Sequence, residues 1–131
     1  MNIFLTLILF SSFACEQQPE PYTQTGEASY YARMLEGRPT ASGEIYRKDS
    51  LTAAHNDLPL GTVIKVTNLE NEKEVTVEIN DRGPYAKDRI LDLSRSAAKK
   101  LGMISDGVVQ IKLEVVEPAP GYSISDSVAI N

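Results

Sequence analysis

Three stretches of the chain alternate apolar and polar residues with a period of two. In Thr62–Asn68, Ile64 and Val66 share one face. In Glu74–Asn80, Val75, Val77 and Ile79 oppose Glu74, Thr76 and Glu78, and in Val109–Val115, Val109, Ile111, Leu113 and Val115 oppose Gln110, Lys112 and Glu114. This alternation predicts half-buried strands. The polar link Glu70–Lys73 between the first two predicts a hairpin, and a shorter strand is expected around Ala28–Tyr31. The pattern changes to a helical one after Ser94, a residue suited to an N-cap. Ala97, Ala98 and Leu101 fall on one helical face, Lys99 and Lys100 lie in the last turn, and Gly102 ends the helix. One further helical turn is expected at Leu51–His55, stopped before Pro59. Short strands with one or two short helices, all within residues 27–116, predict a mainly β protein built as a small closed or nearly closed barrel.

The N-terminus follows another rule. Ile3–Phe10 is an apolar run broken only by Thr6. A spanning helix needs about 20 such residues, so the run fits the core of a signal peptide instead. Small residues follow, then Cys15, and the stretch Ser12-Phe13-Ala14-Cys15 resembles the lipobox of bacterial lipoproteins. That resemblance implies cleavage before Cys15, acylation of its thiol and attachment to a membrane. The expected organisation is a signal peptide over 1–14, a lipidated Cys15 with a flexible polar tether over 15–26, the folded domain over 27–116 and a tail over 117–131.

Charge narrows the function classes. The formal net charge is −5, yet all 13 Lys/Arg lie between Glu27 and Val116, while four acids (Glu16, Glu20, Glu117 and Asp126) lie outside that segment. The domain is nearly neutral and lacks the basic surplus that nucleic-acid binding needs. One Cys and one His exclude an internal disulfide and do not by themselves make a zinc site. No EF-hand-like loop occurs, and no metal or other cofactor is expected. There is no Trp, so the six tyrosines are the main candidates for stacking on a sugar.

Candidate chemistry gathers in four clusters: Arg38–Glu44, Ala53–Thr62, Asn80–Tyr85 and Arg89–Ser94. Taken alone, each has an ordinary structural reading. Asp81 precedes Arg82-Gly83-Pro84 and suits a turn that bonds its own backbone. Glu44 follows Ser42-Gly43 and suits a solvated loop, His55 suits a hydrogen-bonded structural role, and Asp92 suits the start of the helix after it. A Ser/His/Asp triad lacks the nucleophile-elbow sequence.

Taken in order, the clusters resemble the rare lipoprotein A (RlpA-like) family of septal lytic transglycosylases. The resemblance runs from Gly26-Glu27-Ala28-Ser29-Tyr30-Tyr31 through Thr40-Ala41-Ser42-Gly43-Glu44, Ala53-Ala54-His55, Asn80-Asp81-Arg82-Gly83-Pro84-Tyr85 and Arg89-Ile90-Leu91-Asp92-Leu93-Ser94 to Gly102. It implies a six-stranded double-psi β-barrel that cleaves the MurNAc–GlcNAc bonds of peptidoglycan and leaves 1,6-anhydroMurNAc ends. Asp81 would be the acid/base and Glu44 a coupled carboxylate. His55, Thr40, Ser42, Arg82, Tyr30 and Tyr85 would bind or support the substrate. Where the family commonly has Trp-Tyr-Gly, this chain has Tyr30-Tyr31-Ala32. The implied partners are glycan strands, the membrane through the lipid anchor, and cell-division proteins, with the protein at the outer membrane facing the periplasm. The alternative is an expansin-like module that binds or loosens wall glycan without turnover. A carboxyl that donates a proton at neutral pH needs burial or a neighbouring negative charge such as Glu44; Arg82 and Arg89 would instead either lower a carboxylate pKa or bind the lactyl carboxylate of muramic acid.

Overall fold

A computed structural model describes residues 20–123. Six strands close into a barrel: β1 (Thr23–Tyr30), β2 (Thr52–Ala54), β3 (Val63–Asn68), β4 (Glu74–Asp81), β5 (Arg89–Leu93) and β6 (Val109–Glu117), in the spatial order β1-β5-β2-β4-β3-β6 with β6 returning to β1. The pairs β1–β5 and β2–β4 are parallel, and the rest are antiparallel. Closure leaves no unpaired sheet edge. The inward set of the alternating strands forms the core: Ile64, Val66, Val77, Ile79, Leu91, Leu93, Ile111 and Leu113 are all 1% exposed or less.

The one α-helix among the described residues, α1 (Arg95–Lys100), begins as the sequence predicts. Ser94 Oγ accepts from Ala97 N at 3.3 Å, and Ala97, Ala98 and Leu101 join the barrel core. Its C-terminal end is satisfied from outside. The Leu101 carbonyl accepts from Asn68 Nδ2 at 3.0 Å and from Asn71 Nδ2 at 2.9 Å, both from the β3–β4 hairpin region.

Three expectations change. Leu51–His55 is not a helical turn, because Thr52–Ala54 is β2, inserted between β4 and β5. Ala53 faces the main core while Ala54 joins a second cluster with Tyr31 and Tyr46, so both faces are covered and no alternation marks the strand. The segment read as tether is partly structural as well. β1 starts at Thr23, and Thr23–Gly26 pair with Glu114–Ile111 of β6. These residues are too polar to betray a strand; backbone pairing, not apolar burial, places them. Gly26 also admits Ile90, whose Cγ2 lies 3.0 Å from where a Cβ would stand. The tail begins later than expected, since Ala119 is 2% exposed and, with Pro120, packs over Gly61. The expected signal peptide and Cys15 lie outside the described residues.

Candidate functional site

Four neighbouring strands bring one residue each into a common row. Ser29 on β1 pairs with Asp92 on β5, Asp92 pairs with Ala54 on β2, and Ala54 pairs with Asp81 on β4. Ala54 is small and leaves room between the two carboxylates. Above this row opens a cavity of about 370 Å³, lined by Ser29, Tyr30, Tyr31, Arg38, Thr40, Tyr46, Asp81, Arg82, Tyr85, Arg89 and Asp92 among others.

Asp81 is held by three donors. Tyr31 Oη donates to Oδ2 at 2.5 Å, and the backbone N–H groups of Ala41 and Arg82 donate to Oδ1 at 2.9 Å each. Tyr31 is itself clamped edge-on against Tyr46, with ring centroids 4.5 Å apart. Burial, then the hydrogen bond to Asp81, then the charges of Asp81 and Asp92 push the Tyr31 hydroxyl well above the usual phenol range. It therefore keeps its proton and stays a donor. The Ala41 N–H comes from the Thr40–Glu44 loop. There Thr40 Oγ1 donates to the Glu44 carbonyl at 2.7 Å, Ser42 N donates to the Asn80 carbonyl at 3.1 Å, and Gly43 takes φ +91°. On the other side Gly83 (φ +131°) turns the chain away, and Asn56 holds this turn through Gly83 N (3.0 Å) and the Pro84 carbonyl (2.6 Å).

The expected residues separate into those that reach the cavity and those that support it. Asp81, Thr40, Tyr30, Tyr85 and Arg82 line it; Glu44, Ser42 and His55 do not. Glu44 is exposed, and the one group bonded to its carboxylate is Ser42 Oγ, at 3.4 Å. The carboxylate that shares the cavity with Asp81 is Asp92, which bonds Ser29 Oγ from within β5 and does not cap α1. Tyr30 borders the cavity, but its hydroxyl donates to the Ile104 carbonyl at 2.8 Å. Arg82 Nη1 donates to the carbonyls of His55 (3.0 Å) and Leu58 (2.6 Å), tying two loops together.

His55 stands behind the cavity wall, 2% exposed. Its Nδ1 accepts from the N–H groups of Asp57 and Leu58 at 3.0 Å each. The proton must then sit on Nε2, which donates to Gln24 Oε1 at 2.9 Å. Burial lowers its pKa to about 4, with Asp57 opposing and Arg82 assisting. It is a neutral turn-holding residue, and its own N–H donates to the Asp81 carbonyl at 3.1 Å. Sequence reasoning passed over Tyr31, Asp92 and Ser29. The interval Asp81 to Asp92, with both positions at strand ends, was the available signal for the pair; nothing local marked Tyr31 above Tyr30.

Residues 23–113 match the family model described as lytic transglycolase. The chain belongs to the lytic transglycolase family. Its relatives in this family include the endolytic peptidoglycan transglycosylase RlpA of Pasteurella multocida, 49% identical over 96 residues, covering 73% of this chain and 33% of the relative. The probable RlpA of Treponema pallidum is 53% identical over 93 residues, covering 71% and 29%. The chain thus spans about a third of the length of these curated relatives. Among solved structures the family barrel is similar to the Streptomyces papain inhibitor (TM-score 0.62, 24% identity, 76% of this chain and 98% of that one). It is also similar to apo Clavibacter michiganensis expansin (TM-score 0.58, 23% identity, 75% and 52%). At that identity the likeness shows the fold alone.

Proposed function

We propose that this chain is an endolytic lytic transglycosylase of peptidoglycan. It cleaves the MurNAc–GlcNAc bond without adding water and leaves a 1,6-anhydroMurNAc end. The observation that carries the reading is the Asp81 carboxyl, aimed into the cavity and fixed by three donors. The reaction needs one proton delivered to the leaving glycosidic oxygen and one removed as the muramic 6-hydroxyl attacks C1. A single positioned carboxyl serves both transfers: it gives up its proton as the bond breaks and recovers one from the attacking hydroxyl. Hydrolysis, by contrast, ordinarily needs a second carboxylate to activate water or to attack. Tyr31 and the Ala41 N–H hold the Asp81 oxygens at a defined angle, which is what an efficient transfer requires. Asp92 supplies the negative charge beside the reacting sugar. Glu44 acts at a distance, stiffening through Ser42 the loop that carries Ala41. Exposed Tyr85 offers a face to a neighbouring sugar.

In the same reading acyl chains on Cys15 hold the protein at the outer membrane, facing the periplasm, with residues between Cys15 and β1 as the tether. More than one chain is needed for stable anchoring. The deciding experiment incubates the purified protein with peptide-stripped glycan strands and weighs the products by mass spectrometry. Anhydro ends support the proposal. Reducing ends would make the protein a hydrolase, and intact strands that co-sediment with it would make it a binding module.

A further inference from the structure

Gln24 falls in the segment that the sequence reads as tether, yet its side chain meets the back of the site. It stands on β1 opposite Leu113 of β6, and its Oε1 lies 2.9 Å from His55 Nε2. A neutral imidazole has two forms, and its surroundings choose between them. The other ring nitrogen, Nδ1, faces two donors, the N–H groups of Asp57 and Leu58, at 3.0 Å each. With the proton on Nδ1, three N–H groups would point at one another and the turn over 55–58 would open. An acceptor at Nε2 disfavours that form, and Gln24 Oε1 is the acceptor that the fold supplies.

The turn is tied to the end of β4 at three points. His55 N donates to the Asp81 carbonyl at 3.1 Å. Arg82 Nη1 donates to the carbonyls of His55 and Leu58, and Arg82 N donates to Asp81 Oδ1 at 2.9 Å. Tyr31 and Ala41 hold the Asp81 carboxyl from the front, and the 55–58 turn holds its main chain from behind. We propose that Gln24 is a positioning residue for cleavage: by keeping the His55 proton on Nε2 it keeps the turn closed, and the closed turn aims the Asp81 carboxyl. Gln24 does not line the cavity, so it acts through His55 and not on the sugar. This rests on the reading of Asp81 as the acid/base. The neutral amide matters as well. A carboxylate in its place would also accept from Nε2, but it would favour the imidazolium, whose second proton sits on Nδ1 against the same two donors. The other charges acting on the ring are Asp57, which favours the imidazolium, and Arg82, which opposes it; Tyr22 lies near Asp57 and keeps its phenol proton.

His55 is the only histidine in the chain, so labelling histidine with nitrogen-15 gives one imidazole spectrum by NMR. Wild type should show a protonated Nε2 and a bare Nδ1 at neutral pH. A protonated Nδ1 would overturn the proposal, and that measurement needs no variant to fold. Gln24→Met removes the acceptor at similar length. It should mix the two forms, shift the Arg82 amide signal and lower kcat about tenfold, the worth of one buried hydrogen bond, with KM unchanged. Gln24→Glu should restore the protonated Nε2 and the kcat at alkaline pH, and should lose activity at a higher pH than wild type as the imidazolium forms. The proposal falls if a folded Gln24→Met keeps the wild-type tautomer, whatever its kcat. It falls equally if that variant raises KM at constant kcat, because Gln24 would then serve binding. The imidazole and Arg82 signals are read without turnover. Wild type that shows them as expected but cleaves no strand would therefore sink the transglycosylase reading alone.

Discussion

Asp81 and Tyr31 are one unit, and substitutions should show it. Asp81→Asn keeps the size of the side chain and its fitness for the turn, while removing the titratable proton. General acid–base groups typically contribute about 10²–10⁴-fold, and anhydro-product release should fall by that order with the melting curve little changed. A folded Asp81→Asn that cleaves at the wild-type rate would reduce Asp81 to a turn residue. Tyr31→Phe removes one of the three donors and should slow cleavage by about tenfold or more while binding of glycan strands is retained. His55 makes a prediction about stability instead. Its pKa is about 4 in the folded protein against 6.5 for a free imidazole side chain. A depressed histidine pKa means that the unfolded chain binds the extra proton. The contribution is therefore complete above pH 6.5 and is lost as pH falls from 6.5 toward 4. The full gap is worth about 3 kcal/mol at most. Urea unfolding at steps across that window should show wild type losing stability faster than His55→Asn, whose amide oxygen still accepts from the turn. Parallel curves for the two proteins would refute the assignment.

At the scale of elements, the strands with one wet face and α1 were legible, and the fully sandwiched strand was not. β3, β4 and β6 carry their own address because each has one face in the core and one in water. β2 has neighbours over both faces, and its three residues are too few to declare a period. α1 is equally local. Its first turn depends on Ser94, which is fully buried and bonds Ala97 N. Ser94→Ala should cost about 1 kcal/mol in urea unfolding, the usual worth of an N-cap. The helix does not line the cavity, so cleavage by the protein that remains folded should be unchanged. A loss of activity at full folding would instead tie α1 to the site, and the contact to examine would be Arg95 N to Tyr46 Oη, 3.3 Å.

At the scale of the whole molecule, closure depends on residues that look dispensable in the sequence. A chain beginning at Thr23 should fold, whereas one beginning at Glu27 loses the Thr23–Gly26 pairing with β6 and the Gln24 partner of His55. Circular dichroism and a melting curve should find the longer form cooperative and the shorter one unfolded or strongly destabilised; two equally stable forms would return Thr23–Gly26 to the tether. Attachment is tested in cells, where a fatty-acid analogue should label wild type and not Cys15→Ser, and equal labelling would refute the anchor. Sequence by itself determined the barrel class, the cap and face of α1, the family resemblance and the place of Asp81, because period, turn chemistry and motif order are written in consecutive residues. Only the tertiary structure decided which groups meet Asp81. Tyr31, Ala41 and Asp92 reach the site from separate stretches of the chain, through the β1–β5, β5–β2 and β2–β4 pairings and a loop, whose register no local pattern records. The same fold kept Glu44 and His55 off the cavity wall, since hydrogen-bond partners are set by proximity in space and not by spacing along the chain.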